Sequence, residues 1–257
     1  MRALESLRAL APAEGTLCRV LADGAPVWAV LEEDRLRALD GKSLGALSGA
    51  RLLPPVSPGK IVGLGYNYKD LMTSEGQEEP LLFLKSPNAL ALDGADIRIA
   101  SADRVWIEVE LGLVIGEGGR DIPVREAARH ILGHVVANDV TAADALGRDH
   151  HLAFSKSRDG FCPVSRFMRR GLDASDLAVS SRINGRTAQS SRTSDRFLDD
   201  AQVVNFVSRR MTLAVGDLIL TGTPRGAQQA VVRPGDEAVV EVGGAGTVTS
   251  RFVEERR

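Results

Sequence analysis

A chain of 257 residues, 44% hydrophobic and 26% charged, has the length for a substantial core and the balance of a soluble globular protein. Its formal charge of −2 argues against a general nucleic-acid binder, which would carry a basic excess. Cys18 and Cys162, the only cysteines, form neither a disulfide framework nor a zinc motif. No apolar run reaches the roughly 18 residues of a membrane span, and MRALESLRALAPAEG lacks a signal-peptide core, so a cytoplasmic protein without a membrane partner is expected.

Residues 1–10 put Leu4, Leu7 and Leu10 at helical spacing and predict a short helix. From Thr16, two apolar runs flank Ala22-Asp23-Gly24-Ala25-Pro26, which predicts a hairpin. Pro54, Pro55 and Pro58 exclude regular structure over 53–59. That stretch reads as a linker between a small N-terminal domain, 1–57, and a larger domain, 58–257. Short strands are expected at 60–65, 81–85 and 97–100, with a polar loop over 73–80 and a central strand over 105–115. A helix is predicted over 123–131, with proline in its first turn and Val124, Ala127, Ala128 and Ile131 on one face. Residues 134–140 are again strand-like, and a polar loop with His150 and His151 follows over 144–155. The strand at 178–183 turns at Asn184-Gly185, a strong hairpin dipeptide. A helix over 199–211 aligns Val203, Phe206, Val207 and Met211, and strands at 218–220, 238–242 and 247–253 close the chain. Most strands lack a long helix between them, so a strand-rich α+β fold is expected rather than a doubly wound α/β sheet.

The chemistry is concentrated in the central run. Glu108 and Glu110 stand two apart in Trp106-Ile107-Glu108-Val109-Glu110-Leu111, and a strand points both to one side. Like charges side by side in an apolar strand are expensive unless a cation or a shared proton compensates them. A hard divalent cation is the simplest compensation, and an edge strand with both glutamates in water is the alternative. Asp139 ends the next apolar strand and can return to the pair. Three carboxylates would then hold Mg²⁺ or Mn²⁺ with positions open for a chelating substrate; otherwise Asn138-Asp139 only caps a helix. Lys156 either stabilises enolate charge or takes part in proton transfer beside such a site, or it is a surface lysine. Thr221-Gly222-Thr223-Pro224 offers N–H and hydroxyl donors, as many strand-end turns do.

Two shorter patterns are set aside. Gly41-Lys42-Ser43-Leu44-Gly45 imitates a nucleophile elbow, but about forty residues before it are too few to supply the oxyanion-hole loop. Gly63-Leu64-Gly65 lacks the third glycine of a dinucleotide fingerprint.

In order, Gly65-Tyr66-Asn67-Tyr68, Phe83-Leu84-Lys85-Ser86-Pro87, Glu108-Val109-Glu110, Asn138-Asp139-Val140, Lys156 to Pro163, and Met211 through Gly216-Asp217 to Thr223-Pro224 resemble the fumarylacetoacetate hydrolase family over about 58–253. The resemblance implies a β-sandwich roll, usually a homodimer. It implies a divalent metal on Glu108, Glu110 and Asp139, either Mg²⁺ or Mn²⁺ with Ca²⁺ able to stand in. Lys156 would be catalytic, and Thr223, Arg158, Tyr68 and Lys85 would meet an oxo-acid substrate. There are departures. Leu71 stands where hydrolytic members carry a histidine, Ser74 where they carry a glutamate, with Glu75 one place late, and Leu146 where many carry a glutamine. The stretch from Lys156 to Pro163 is most similar to the isomerase/decarboxylases of homoprotocatechuate breakdown. The implied reaction is isomerisation or decarboxylation of 2-oxo or 2-hydroxydienoic dicarboxylic acids from aromatic catabolism through a stabilised enolate. Two other readings stay open: a C–C hydrolase of acylpyruvate-like acids using Glu75 or a distant histidine, and a non-catalytic metal- or ligand-binding partner subunit.

Overall fold

A computed structural model describes residues 11–74, 78–144 and 147–255. The helix expected over 1–10, and the positions of Glu75 and Leu146, lie outside these residues. Valine-, isoleucine- and leucine-rich segments too short for stable helices are built into sheets. The largest has thirteen strands, and its main path runs Ser43–Ala46, Arg35–Ala38, Ala25–Glu32, Gly15–Ala22, Met168–Arg170, Ile131–Asn138, Val109–Ile115, Leu218–Leu220, Ile61–Gly65, Leu81–Lys85. A five-stranded sheet orders Arg186–Arg192, Ala178–Ile183, Glu237–Val242, Gly246–Glu254 and Asp96–Ile99. A small third sheet joins Thr141–Ala142, Val105–Trp106 and Val231–Val232. The chain is strand-rich with few helices, as expected. Among the described residues no helix is long and apolar enough to cross a membrane.

Val109–Ile115 lies at the centre, and all seven of its residues are buried. Val109, Leu111 and Val114 join a core with Val240, Val242, Val248 and Phe252 of the five-stranded sheet. Leu113 and Ile115 face the other way, towards Val203, Val204 and Val207 of the helix Asp200–Ser208. A strand covered on both faces is expected to be apolar throughout rather than alternating. That explains why its one carboxylate, Glu110, is so conspicuous.

The hairpins form where the sequence places them. Asp23-Gly24 and Asn184-Gly185 have positive φ at both positions, 51° and 78°, then 49° and 78°, which suits the right-handed twist of the strands they join. Asp199 caps the late helix by accepting from Gln202 N, while the Gln202 side chain accepts from Asp199 N, so helix entry is fixed by a capping box.

Two elements differ from expectation. The strand expected over 105–115 is broken at Ile107 and Glu108, because the chain there leaves the three-stranded sheet and enters the large one. The helix expected over 123–131 is a 3₁₀ turn, Val124–Glu126, followed by one α-turn, Ala127–His130. Ile131 is drawn into the sheet opposite Ile115, which ends the helix early.

The N-terminal meander is hydrogen-bonded to the rest through Gly15, Thr16 and Leu17, which pair with Arg170, Arg169 and Met168. Arg19 donates to the carbonyls of Pro54 and Val56, tying down the proline-rich stretch. Gly133 lets the Met168–Arg170 strand approach Ile131–Asn138, since a Cβ there would lie 2.7 Å from the Arg169 carbonyl oxygen and 2.8 Å from Met168 Cγ. Gly133→Ala is expected to lower stability by about 1–3 kcal/mol through overpacking. Urea unfolding measures this, and an unchanged midpoint would show that the two strands separate without cost.

Candidate metal centre

The break at Ile107-Glu108 and the end of Ile131–Asn138 meet. Val109 pairs with Asn138, Asp139 N donates to the Glu108 carbonyl at 2.9 Å, and Glu108 N donates to Asn138 Oδ1 at 3.2 Å. Glu110 is the second residue of the central strand. One carboxyl oxygen from each of Glu108, Glu110 and Asp139 lies within 4.8 Å of the others. Glu110 and Asp139 are buried and Glu108 half-buried.

Two lysines face the three acids. Lys85, at the end of Leu81–Lys85, is fully enclosed, and its Nζ donates to Asp139 Oδ1 at 2.5 Å and to the Val140 carbonyl at 3.2 Å. Lys156 ends the short helix Ala153–Lys156. Its Nζ donates to Asp139 Oδ2 at 2.6 Å, Thr141 Oγ1 at 2.7 Å and Glu108 Oε2 at 3.1 Å. It also stands 4.6 Å from the centroid of the Phe83 ring.

Three carboxylates face two ammonium groups, so one acid lacks a cation, and Glu110 is the one that favours its protonated form. Burial pushes the Glu110 carboxyl well above the ordinary glutamate range, and the charges of Asp139 and then Glu108 push it further. Its hydrogen bond from Gly222 N, at 2.5 Å, does not reverse this. Asp139 behaves oppositely: burial would raise it, but Lys156 and Lys85 outweigh burial and hold it below the usual aspartate range. Burial would likewise lower Lys156, yet Asp139 and Glu108 raise it, so it stays an ammonium ion. A group so held is a hydrogen-bond donor and a poor base. The all-oxygen donor set, short of one positive charge, suits a hard divalent cation that would replace the proton on Glu110.

Thr223 follows Gly222, whose N–H reaches Glu110, and is half-buried. Tyr68 is buried beside Arg196; burial raises its phenol and outweighs the opposing Arg196 charge, so the ring stays neutral. Arg158 is held elsewhere, donating to Asp103 Oδ2 at 2.5 Å and lying over the Phe154 and Phe161 rings. Leu71 sits half-buried on the helix Lys69–Ser74 and offers no acid–base group.

Sequence reasoning missed three contributors. Trp106 Nε1 donates to Glu108 Oε1 at 2.7 Å, and Thr141 Oγ1 lies 3.0 Å from both Glu108 Oε1 and the Asp139 carbonyl. Each stands two residues from a ligand candidate, a spacing that could have found it. The third, Gln189, belongs to the five-stranded sheet and had no local signal.

Residues 60–253 match the family model for the C-terminal domain of fumarylacetoacetate hydrolase. The chain belongs to this family. A protein of Archaeoglobus fulgidus described only as uncharacterized is 37% identical over 243 residues, covering 93% of this chain and 96% of that protein. The Escherichia coli 4-hydroxyphenylacetate degradation bifunctional isomerase/decarboxylase is 34% identical over 94% of this chain, which spans 56% of that longer enzyme. Among solved structures, the 5-carboxymethyl-2-hydroxymuconate delta-isomerase of Mycobacterium smegmatis superposes with a TM-score of 0.85 at 33% identity, covering 94% of this chain and all of the other. The strand-rich roll expected of the fumarylacetoacetate hydrolase family is thus the fold of this chain.

Glu110→Gln keeps an acceptor for Gly222 and removes the titrating proton. In the folded metal-free parent Glu110 holds a proton that the unfolded chain releases near its ordinary value of 4.5. Parent stability therefore falls as pH rises above that value. Asp139 does not oppose this, because its contribution is already complete above the ordinary aspartate value of 3.8. Urea unfolding with chelator should find Glu110→Gln more stable than the parent, by a margin that widens from about pH 5 upward. A margin that shrinks with pH would sink this reading of Glu110.

Proposed function

We propose that the chain is a divalent-metal-dependent isomerase or decarboxylase of 2-oxo or 2-hydroxydienoic dicarboxylic acids. The observation that carries this is the convergence of Glu108, Glu110 and Asp139 within 4.8 Å, with the Lys156 ammonium on two of them. Mg²⁺ or Mn²⁺ on those carboxylates would supply Lewis-acid stabilisation of negative charge on a substrate oxygen. Lys156, an ammonium ion, would donate to the enolate oxygen as it forms by turning to it the N–H now given to Glu108. Lys85 keeps Asp139 ionised and in place. The Thr223 hydroxyl binds a substrate carboxylate.

Isomerisation moves a proton within the substrate, and decarboxylation expels carbon dioxide to leave an enolate that is then protonated. Neither needs an activated water. Leu71, in the position where hydrolytic members carry a histidine, supports these reactions over hydrolysis. Similarity to the Escherichia coli isomerase/decarboxylase supports the same choice. A homodimer belongs to this proposal, supported by Leu81 and Leu84 exposed on the terminal strand of the large sheet.

Purified protein should turn over 2-hydroxyhepta-2,4-diene-1,7-dioate or oxaloacetate, lose activity to chelator and regain it with Mg²⁺ or Mn²⁺. No tautomerisation and no decarboxylation across such acids would overturn the proposal. Lys156→Met is expected to lower kcat by about 10²–10³-fold, the usual cost of deleting one donor to a developing oxyanion. A kcat close to that of the parent would remove Lys156 from the chemistry.

A further inference from the structure

Gln189 is 2% exposed in a strand whose flanking residues Ala188 and Ser190 are more open, so its burial has to be compensated. All four of its side-chain positions are used. Oε1 accepts from Val109 N at 3.3 Å and Ser181 Oγ at 3.0 Å. Nε2 donates to the Pro224 carbonyl at 2.9 Å and to Thr223 Oγ1 at 2.9 Å. Two of these partners cannot change roles: a backbone N–H only donates, and a proline carbonyl only accepts. The amide therefore has one orientation, with oxygen towards Val109 and nitrogen towards Pro224.

That orientation has a consequence for Thr223. Its oxygen must accept from Gln189, so its own proton is left to be donated elsewhere. Val109 stands between Glu108 and Glu110, so one amide links the backbone of the carboxylate cluster to the threonine turn. We propose that Gln189 is a positioning residue that fixes the Thr223 hydroxyl as a hydrogen-bond donor towards an anionic oxygen, a carboxylate or an enolate, of the bound oxo-acid. This rests on the metal-dependent oxo-acid reading above and adds the polarity of the subsite: it takes a hydrogen-bond acceptor and disfavours a group that can only donate, such as an ammonium.

Gln189→Glu keeps the acceptor for Val109 N and Ser181 but replaces the donor to Thr223 and Pro224 by an oxygen and adds a charge; neutral Gln189→Met separates the lost donor from that charge. The probe is oxalate, titrated calorimetrically into Mn²⁺-loaded protein, with Mn²⁺ affinity measured separately. Gln189→Glu should weaken oxalate binding by about tenfold or more, the range expected for losing a hydrogen bond to a charged group. Mn²⁺ affinity should stay within about threefold, a difference under 1 kcal/mol. In a Thr223→Val background the loss should be at least about threefold smaller, because the hydroxyl it acts through is gone while the effect of the added charge remains. Oxalate binding like that of the parent, or an equal loss in both backgrounds, overturns the assignment and leaves the metal-dependent reading standing. Parent protein that binds no oxalate with Mn²⁺ overturns that reading and the assignment with it. Should Gln189→Glu not fold, Gln189→Met, neutral and of similar length, is held to the same outcomes.

Discussion

Lys85 and Asp139 meet with no exposed surface on either side chain, and the placement of the other charged groups follows from that contact. A buried ion pair adds little net stability compared with apolar residues of the same size, but losing one partner costs about 3–5 kcal/mol. Its role here is therefore positional. It holds Asp139 ionised at the end of the central hairpin, so that Lys156 can bridge Asp139 and Glu108 from the other side. Once both ammonium groups are committed, Glu110 has only a backbone N–H, and the cluster has a place for one more positive charge.

The cluster itself was legible because charges inside an apolar run are costly and rarely accidental. Strand alternation alone does not account for its convergence. Strand alternation would place Glu108 and Glu110 on one face, but Glu108 lies in a break between two sheets. It reaches Glu110 because the chain crosses there and Asp139 N holds its carbonyl. Likewise Arg158 stands two residues from Lys156 in the same motif, yet its guanidinium is bound to Asp103. Spacing identified the residue types and could not report a competing partner from a distant loop. Gln189 was illegible for a related reason: a buried amide in a polar-looking strand acquires meaning only when the two sheets are packed.

The two halves of the site differ in how they are built. The acid cluster and its lysines are held by at least two hydrogen bonds apiece except at Glu110, which gives it the rigidity needed to favour one ligand geometry. Leu71, by contrast, stands on the separate helix Lys69–Ser74, which has six residues. The acid cluster and the helix that carries Leu71 thus belong to separate segments of the chain, and one can change while the other stays intact.

Gly63 has a role that only its lack of a side chain can fill. It pairs with Phe83, whose ring rests so close that an added Cβ would fall 2.1 Å from ring Cζ. The same ring faces the Lys156 ammonium. The floor beneath the Lys156 ammonium is therefore set by the absence of a side chain on a neighbouring strand, which no charge or hydrogen bond marks. Lineages of this fold have here a means of retuning the reach of that cation by packing alone, leaving every polar group untouched.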